Sequence, residues 1–158
     1  MSISTLDRID RNILTVLQAD NRIYNQVLAD RVAVSAPTCL RRVRRLRKLG
    51  FIQKDVSILN SKMLGSLSFF IVHLELHEEN THMMAQLEDG FKMIDSVMQC
   101  YLVTGEWDYT LFICTHSISE FHKFIDTHIY TNPSIKKFMT QTILKEVKHS
   151  TALPIMSI

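Results

Sequence analysis

The stretch SAPTCLRRVRRLRKLG, Ser35 to Gly50, constrains the fold more than any other. Six of its sixteen residues are cationic, yet Leu40, Val43, Leu46 and Leu49 recur every third position. An α-helix reconciles the two patterns. At about 100° per residue, Ala36, Cys39, Leu40, Val43, Leu46 and Leu49 gather on one half of the wheel. Pro37, Thr38, Arg41, Arg44, Arg45 and Lys48 take the other half, with Arg42 and Arg47 on the flanks. The ends are marked as well. Ser35 is a good N-cap, its hydroxyl placed to accept from a first-turn amide. Pro37 stands where a missing N–H costs least, and Gly50 suits the stop.

A helix with one apolar side must dock on something, and the preceding residues supply it. LDRIDRNILTVLQAD places Leu6, Ile9, Ile13, Leu14, Val16 and Leu17 at mostly helical spacing. YNQVLADRV turns Val27, Leu28 and Val32 inward, and only Ala33-Val34 separates it from Ser35. Three short helices with a tight turn before a basic third describe a helix-turn-helix unit, whose third helix enters the major groove of double-stranded DNA. Thr38, Arg41, Arg42 and Arg45 are the expected base readers, because Arg can bond guanine bidentately. Ser35 and Pro37 lie at the leading end of that surface. Arg44, Arg47, Lys48 and Lys54 are the expected phosphate contacts, which give salt-dependent affinity without sequence information. A solvated basic face on an ordinary helix is the bland reading; cap, turn length and charge together favour DNA.

The net charge of +2 conceals a division. Residues 1–55 hold eleven Lys/Arg and five Asp/Glu, a balance of +6, and the remainder holds seven and eleven, a balance of −4. A basic front and an acidic back imply two units with different partners. Apolar residues at 46% and charged residues at 22% describe an ordinary globular composition. The longest apolar run, Leu67 to Leu76, is broken by Ser68, His73 and Glu75, so no membrane span is expected and the protein is read as cytoplasmic. Cys39, Cys100 and Cys114 have no CxxC spacing, which argues against a disulfide framework and a structural zinc site.

Beyond Gly50, FIQKDVSIL has the composition of a short hairpin or strand, and residues 60–66 read as a linker. LSFFIVHLEL, VMQCYLVT, YTLFICT and KFMTQTILKEVK are expected strands. MMAQLEDGFKMI and SISEFHKFIDTHIY are expected helices. The order βαββαβ makes a four-stranded antiparallel sheet with both helices on one side. Its first strand carries Leu67, Phe69 and Ile71 on one face and Phe70, Val72 and Leu74 on the other. Helices cover one face only. The other needs a partner, most simply a second copy of the same sheet.

The chain resembles the leucine-responsive regulatory protein/asparagine regulator (Lrp/AsnC) family of transcription factors essentially end to end. The matching stretches are LDRIDRNILTVLQADNR (Leu6–Arg22), LADRVAVS (Leu28–Ser35), CLRRVRRLRKLGFI (Cys39–Ile52), TGEWDYTL (Thr104–Leu111) and ILKEVKHS (Ile143–Ser150). Their order and spacing carry the signal. The resemblance implies an α+β protein: an N-terminal winged helix-turn-helix (three-helix) domain, residues 1–55, then a β hinge over 56–66. A βαββαβ ferredoxin-like effector-binding domain of RAM type follows over 67–158. It also implies self-association through that domain into dimers and commonly octamers that wrap or bend DNA.

TGEWDY is the second stretch of chemical interest. Glycine between strands lets backbone amides approach a ligand closely. Glu106 and Asp108 suit an ammonium group, and the amides around Gly105 suit a carboxylate. From the chemistry alone, a tight hairpin with acidic turn residues is the plainer reading. The resemblance implies an amino-acid effector around this loop, leucine or methionine being the candidates, held where two effector domains meet. By position the effector residues are Gly105, Glu106, Asp108 and Tyr109, with Thr140 and Thr142 on the last strand. Trp107 departs from the smaller or differently shaped residues common there.

The expected function is a sequence-specific DNA-binding regulator whose assembly and DNA affinity answer to that ligand. An architectural, nucleoid-type DNA-bending protein with no effector is the alternative. No cofactor, metal or enzymatic role is expected: GxSxG, HExxH, P-loop and dinucleotide motifs are missing, and the seven histidines follow no ligand spacing.

Overall fold

The computed structural model describes residues 6–78 and 80–155. It divides into two compact units. The front comprises 6–58 together with 148–155, and the rear comprises Leu59–Val147.

The front unit is three helices: α1 (Arg8–Ala19), α2 (Asn25–Arg31) and α3 (Ala36–Lys48). Asp7 caps α1, its carboxylate accepting from the Asp10 N–H at 2.8 Å. That bond, more than the neighbouring Arg42 guanidinium, lowers the Asp7 pKa below the usual carboxylate range. Ile13 and Leu14 of α1, Leu28 and Ala29 of α2, and Cys39 and Leu46 of α3 form the core, closed by Val32. Between α2 and α3 the chain turns through Ala33 in a left-handed conformation (φ 55°). The turn is pinned by Val34 N–H to the Ala29 carbonyl at 3.0 Å, and Asn25 Nδ2 donates to the Ala36 carbonyl at 2.9 Å.

Ser35 occupies the N-cap position of α3, but its hydroxyl donates to Thr38 Oγ1 at 2.9 Å and caps no amide. The C-terminus follows expectation. Gly50 is left-handed (φ 81°), its N–H donates to the Arg47 carbonyl, and the Phe51 N–H donates to the Leu46 carbonyl, each at 3.0 Å. This is a Schellman stop.

The hinge strand does not form: residues 53–60 run without a ladder partner among the described residues, leaving Val56, Ile58 and Leu59 exposed. A strand needs a neighbour to take its hydrogen bonds, and the single chain offers none there. The tail over 148–155 belongs to the front unit, where Ile155 packs against the helical core. Gln18 clasps the Leu153 backbone, accepting from its N–H at 2.6 Å and donating to its carbonyl at 3.2 Å.

The rear unit has the order β1 (Ser68–Leu76), α4 (Thr81–Lys92), β2 (Val97–Leu102), β3 (Tyr109–Thr115), α5 (Ile118–Phe124) and β4 (Ile135–Thr142). α5 runs on into a π-helical turn, Ile125–Tyr130. The sheet order is β2-β3-β1-β4, antiparallel throughout. Phe70, Val72, Leu74 and Leu76 alternate inward from β1 and meet Leu111 and Ile113 of β3. Leu87 and Phe91 of α4, Phe121 and Phe124 of α5, and Ile129 complete that core. The second sheet face carries Phe69, Ile71, Phe112, Tyr101 and Met139, and neither helix of the rear unit packs on it. No helix is long and apolar enough to cross a membrane among the described residues.

Candidate functional site

The cationic surface of α3 is not uniform. Asp10, on the inner side of α1, is 1% exposed and accepts from two arginines of α3. Arg42 Nη1 lies 3.0 Å from Asp10 and 2.6 Å from Asp7, and Arg45 Nη2 bonds the second Asp10 oxygen. Arg47 pairs with Asp55 at 2.8 Å. Three of the five arginines therefore have anionic partners inside the protein. Arg41, Arg44 and Lys48 have none among the described residues, and all three are exposed.

This rotates the buried centre of α3 from the one expected. Cys39 and Leu46 are fully buried, whereas Leu40 and Leu49 remain 40% and 41% exposed. The attraction of Asp10 draws the Arg42 edge inward, where Arg42 Nε is buried without an acceptor among the described residues. Pro37, Arg41, Arg44 and Lys48 then stand at i, i+4, i+7 and i+11, one stripe opposite the core. Thr38 flanks the stripe, tied to Ser35, and Lys54 lies exposed beyond the helix.

The second site lies in the β2–β3 connection. Gly105 adopts φ 123°, which favours glycine. Glu106 is exposed and lies 3.6 Å from Lys137 Nζ of β4. The same ammonium sits 4.7 Å from the centroid of the Trp107 ring, whose other neighbour is His73 at 5.8 Å between centroids. Asp108 acts differently. Its N–H donates to the Leu74 carbonyl at 2.8 Å, and its Oδ2 accepts from the Leu76 N–H at 2.7 Å. It braces the end of β1, where a bulge falls between Glu75 and Leu76.

Tyr109 is separated from this corner. It is 1% exposed on the helix-covered face and donates to Glu88 Oε1 at 2.8 Å. Burial first, then the Glu88 carboxylate, raises its pKa. It lines an open groove of about 530 Å³ with Glu88, Phe91, Lys92, Cys100 and Leu102. Thr140 and Thr142 pair with Val72 and Phe70, on the face of β4 opposite Lys137. The structure thus gathers Gly105 and Glu106 with Trp107 and Lys137, and leaves Tyr109, Thr140 and Thr142 outside. Lys137 was not expected from sequence; nothing in its spacing ties it to a loop some thirty residues earlier.

Residues 6–53 match a winged helix-turn-helix DNA-binding family, and residues 69–153 match the Lrp/AsnC ligand binding domain. The chain belongs to the Lrp/AsnC family. Its two matched segments are the cationic three-helix unit and the βαββαβ unit that carries the Gly105 loop. The leucine-responsive regulatory proteins of Escherichia coli K12 and Klebsiella pneumoniae are each 35% identical over 150 residues, 95% of this chain and 92% of theirs. Among solved structures, a Neisseria meningitidis transcriptional regulator in complex with L-Met is similar at 27% identity, with a TM-score of 0.86. It covers 94% of this chain and 96% of that one. An AsnC family regulator from Agrobacterium tumefaciens, at 23% identity, has a TM-score of 0.87 and covers 94% and 97%; it supports the fold alone. Lrp/AsnC proteins are transcriptional regulators, and this chain is a DNA-binding regulator with a ligand-binding domain.

Proposed function

We propose that this Lrp/AsnC regulator reads duplex DNA with Pro37, Thr38, Arg41, Arg44 and Lys48, and that Arg42, Arg45 and Arg47 hold the unit together instead. The observation that carries the reading is the division of α3. One stripe has no anionic partner among the described residues, and the other guanidiniums are engaged by Asp7, Asp10 and Asp55. Phosphates of DNA supply the missing partners, while Thr38 and Arg41, early in the helix, face base edges. Gel-shift titration of Arg41→Ala and Arg44→Ala at several salt concentrations tests this. Weaker binding with a shallower salt dependence is expected. Affinity equal to the parent's in both variants rejects it.

The open sheet face favours a second copy, since it leaves Tyr101 and Met139 exposed and Phe69, Ile71 and Phe112 only half-buried. Dimers, and octamers built from them, are the proposed assembly. Replacing Ile71 by Asp should shift the protein to a smaller species in analytical ultracentrifugation.

An amino-acid effector at the Gly105–Trp107 corner is the proposed regulator, and the L-Met complex of the Neisseria relative makes methionine the first ligand to try, with leucine second. A ligand at such a corner regulates only if it binds one assembly better than another. The ligand-domain match favours this over a purely architectural, effector-free role on the nucleoid. A duplex-DNA partner is consistent with a protein of the cytoplasm, which is the proposed location.

A further inference from the structure

The ligand corner already holds an ammonium group, and it belongs to the chain itself. An aromatic face beside a carboxylate is the standard receptor for an organic ammonium. Trp107 and Glu106 provide both, and Lys137 Nζ sits 4.7 Å from the Trp107 centroid and 3.6 Å from Glu106 Oε1. The placement is selective. In register Lys137 lies opposite Glu75 on β1, but it is Lys136 that pairs with Glu75, leaving Lys137 to reach the loop. The contacts are weak and open to water: Lys137 is 56% and Glu106 72% exposed, so another cation can compete.

We propose that Lys137 is a resident surrogate ligand: its ammonium fills the Trp107–Glu106 corner, and an effector binds by displacing it. The effector class is therefore a primary ammonium compound, and Lys137 sets the concentration at which the corner responds. This rests on the effector reading of the Gly105 loop. It adds that affinity is limited by an internal competitor.

Trp107 is the only tryptophan of the chain, so its fluorescence reports the corner directly. The full-length protein, Lys137→Met and Glu106→Gln are titrated with n-butylammonium, L-methionine, L-leucine and butyrate. Methionine at 137 keeps the length of the stem and removes the charge. Lys137→Met should bind n-butylammonium and both amino acids about three- to tenfold more tightly than the parent. Its ligand-free emission should also differ from the parent's, and Glu106→Gln introduced into it should remove the gain. The proposal is overturned if Lys137→Met titrates like the parent with n-butylammonium. It is equally overturned if that variant loses the amino acids while the parent binds butyrate, because Lys137 would then be a carboxylate receptor. In both cases the effector reading survives, since the parent still binds at the loop. Silence of all three proteins towards every probe removes both.

Discussion

Asp10 decides what the arginines of α3 are free to do. A carboxylate 1% exposed needs compensation, and Arg42 and Arg45 supply it. Replacing Asp10 by Asn leaves Arg45 without its counter-ion and Arg42 with Asp7 alone. Because both are partly exposed, the expected loss is about 2 kcal/mol, less than for a fully buried pair. Urea unfolding of Asp10→Asn measures it. Arg41→Ala and Arg44→Ala should change stability by no more than roughly 0.5 kcal/mol in the same assay, since neither touches an internal anion. Asp7 adds a pH dependence. Its folded pKa lies below its unfolded one, so its contribution is present above the unfolded value of about 3.9 and disappears as pH falls through the folded value. The parent should lose more stability between pH 5 and pH 2 than Asp7→Ala, and thermal melts across that window would show it. Sequence could not separate these arginines. Periodicity placed Arg45 outward and Arg42 on a flank, but the arrival of a buried Asp from another helix is a tertiary fact.

At the level of elements, the chain was most legible where backbone chemistry and apolar pattern agree. Pro37 and Gly50 bracket α3 as their conformational preferences require, and strict alternation in β1 shows both of its faces. Legibility fails where a signal depends on a neighbour. FIQKDVSIL has strand composition, but composition cannot supply a ladder partner. Tyr109 was grouped with Glu106 and Asp108 by the family resemblance, position for position. The strand period of two sends its ring to the helix side and away from the loop. Lys137 fails in the opposite sense, being distant in sequence and close in space. The turn between α2 and α3 permits a sharper test. Ala33 holds φ 55°, a region costing an L-residue about 1 kcal/mol that glycine avoids. Ala33→Gly should be neutral to slightly stabilising, because relief of strain offsets the extra freedom of the unfolded chain. Ala33→Val should lower the melting temperature, since branching at Cβ makes that conformation worse. The same melt on Gly50→Ala should show a comparable loss, because Gly50 sits at φ 81° in the helix stop.

Across the whole molecule, the chain leaves the helical unit near residue 58, completes the sheet unit at Val147, and then returns to the helical unit. Charge division located the first crossing but could not reveal the second, because the tail is short and its one polar anchor, Gln18, is an unremarkable surface residue by sequence. The anchor is specific, however. A single carboxamide satisfies both the N–H and the carbonyl of Leu153, and Ile155 adds apolar contact to the core built on Ile13 and Leu46. The helical unit is therefore completed by residues that follow the last strand of the sheet unit in sequence. Ending the chain after Val147 should raise amide exchange along α1, measured peptide by peptide, while the sheet keeps its protection. Gln18→Ala should reproduce a smaller part of the same change, because it removes the clasp and leaves Ile155 in place. Unchanged exchange in α1 after truncation would mean that the three helices close their core without the tail.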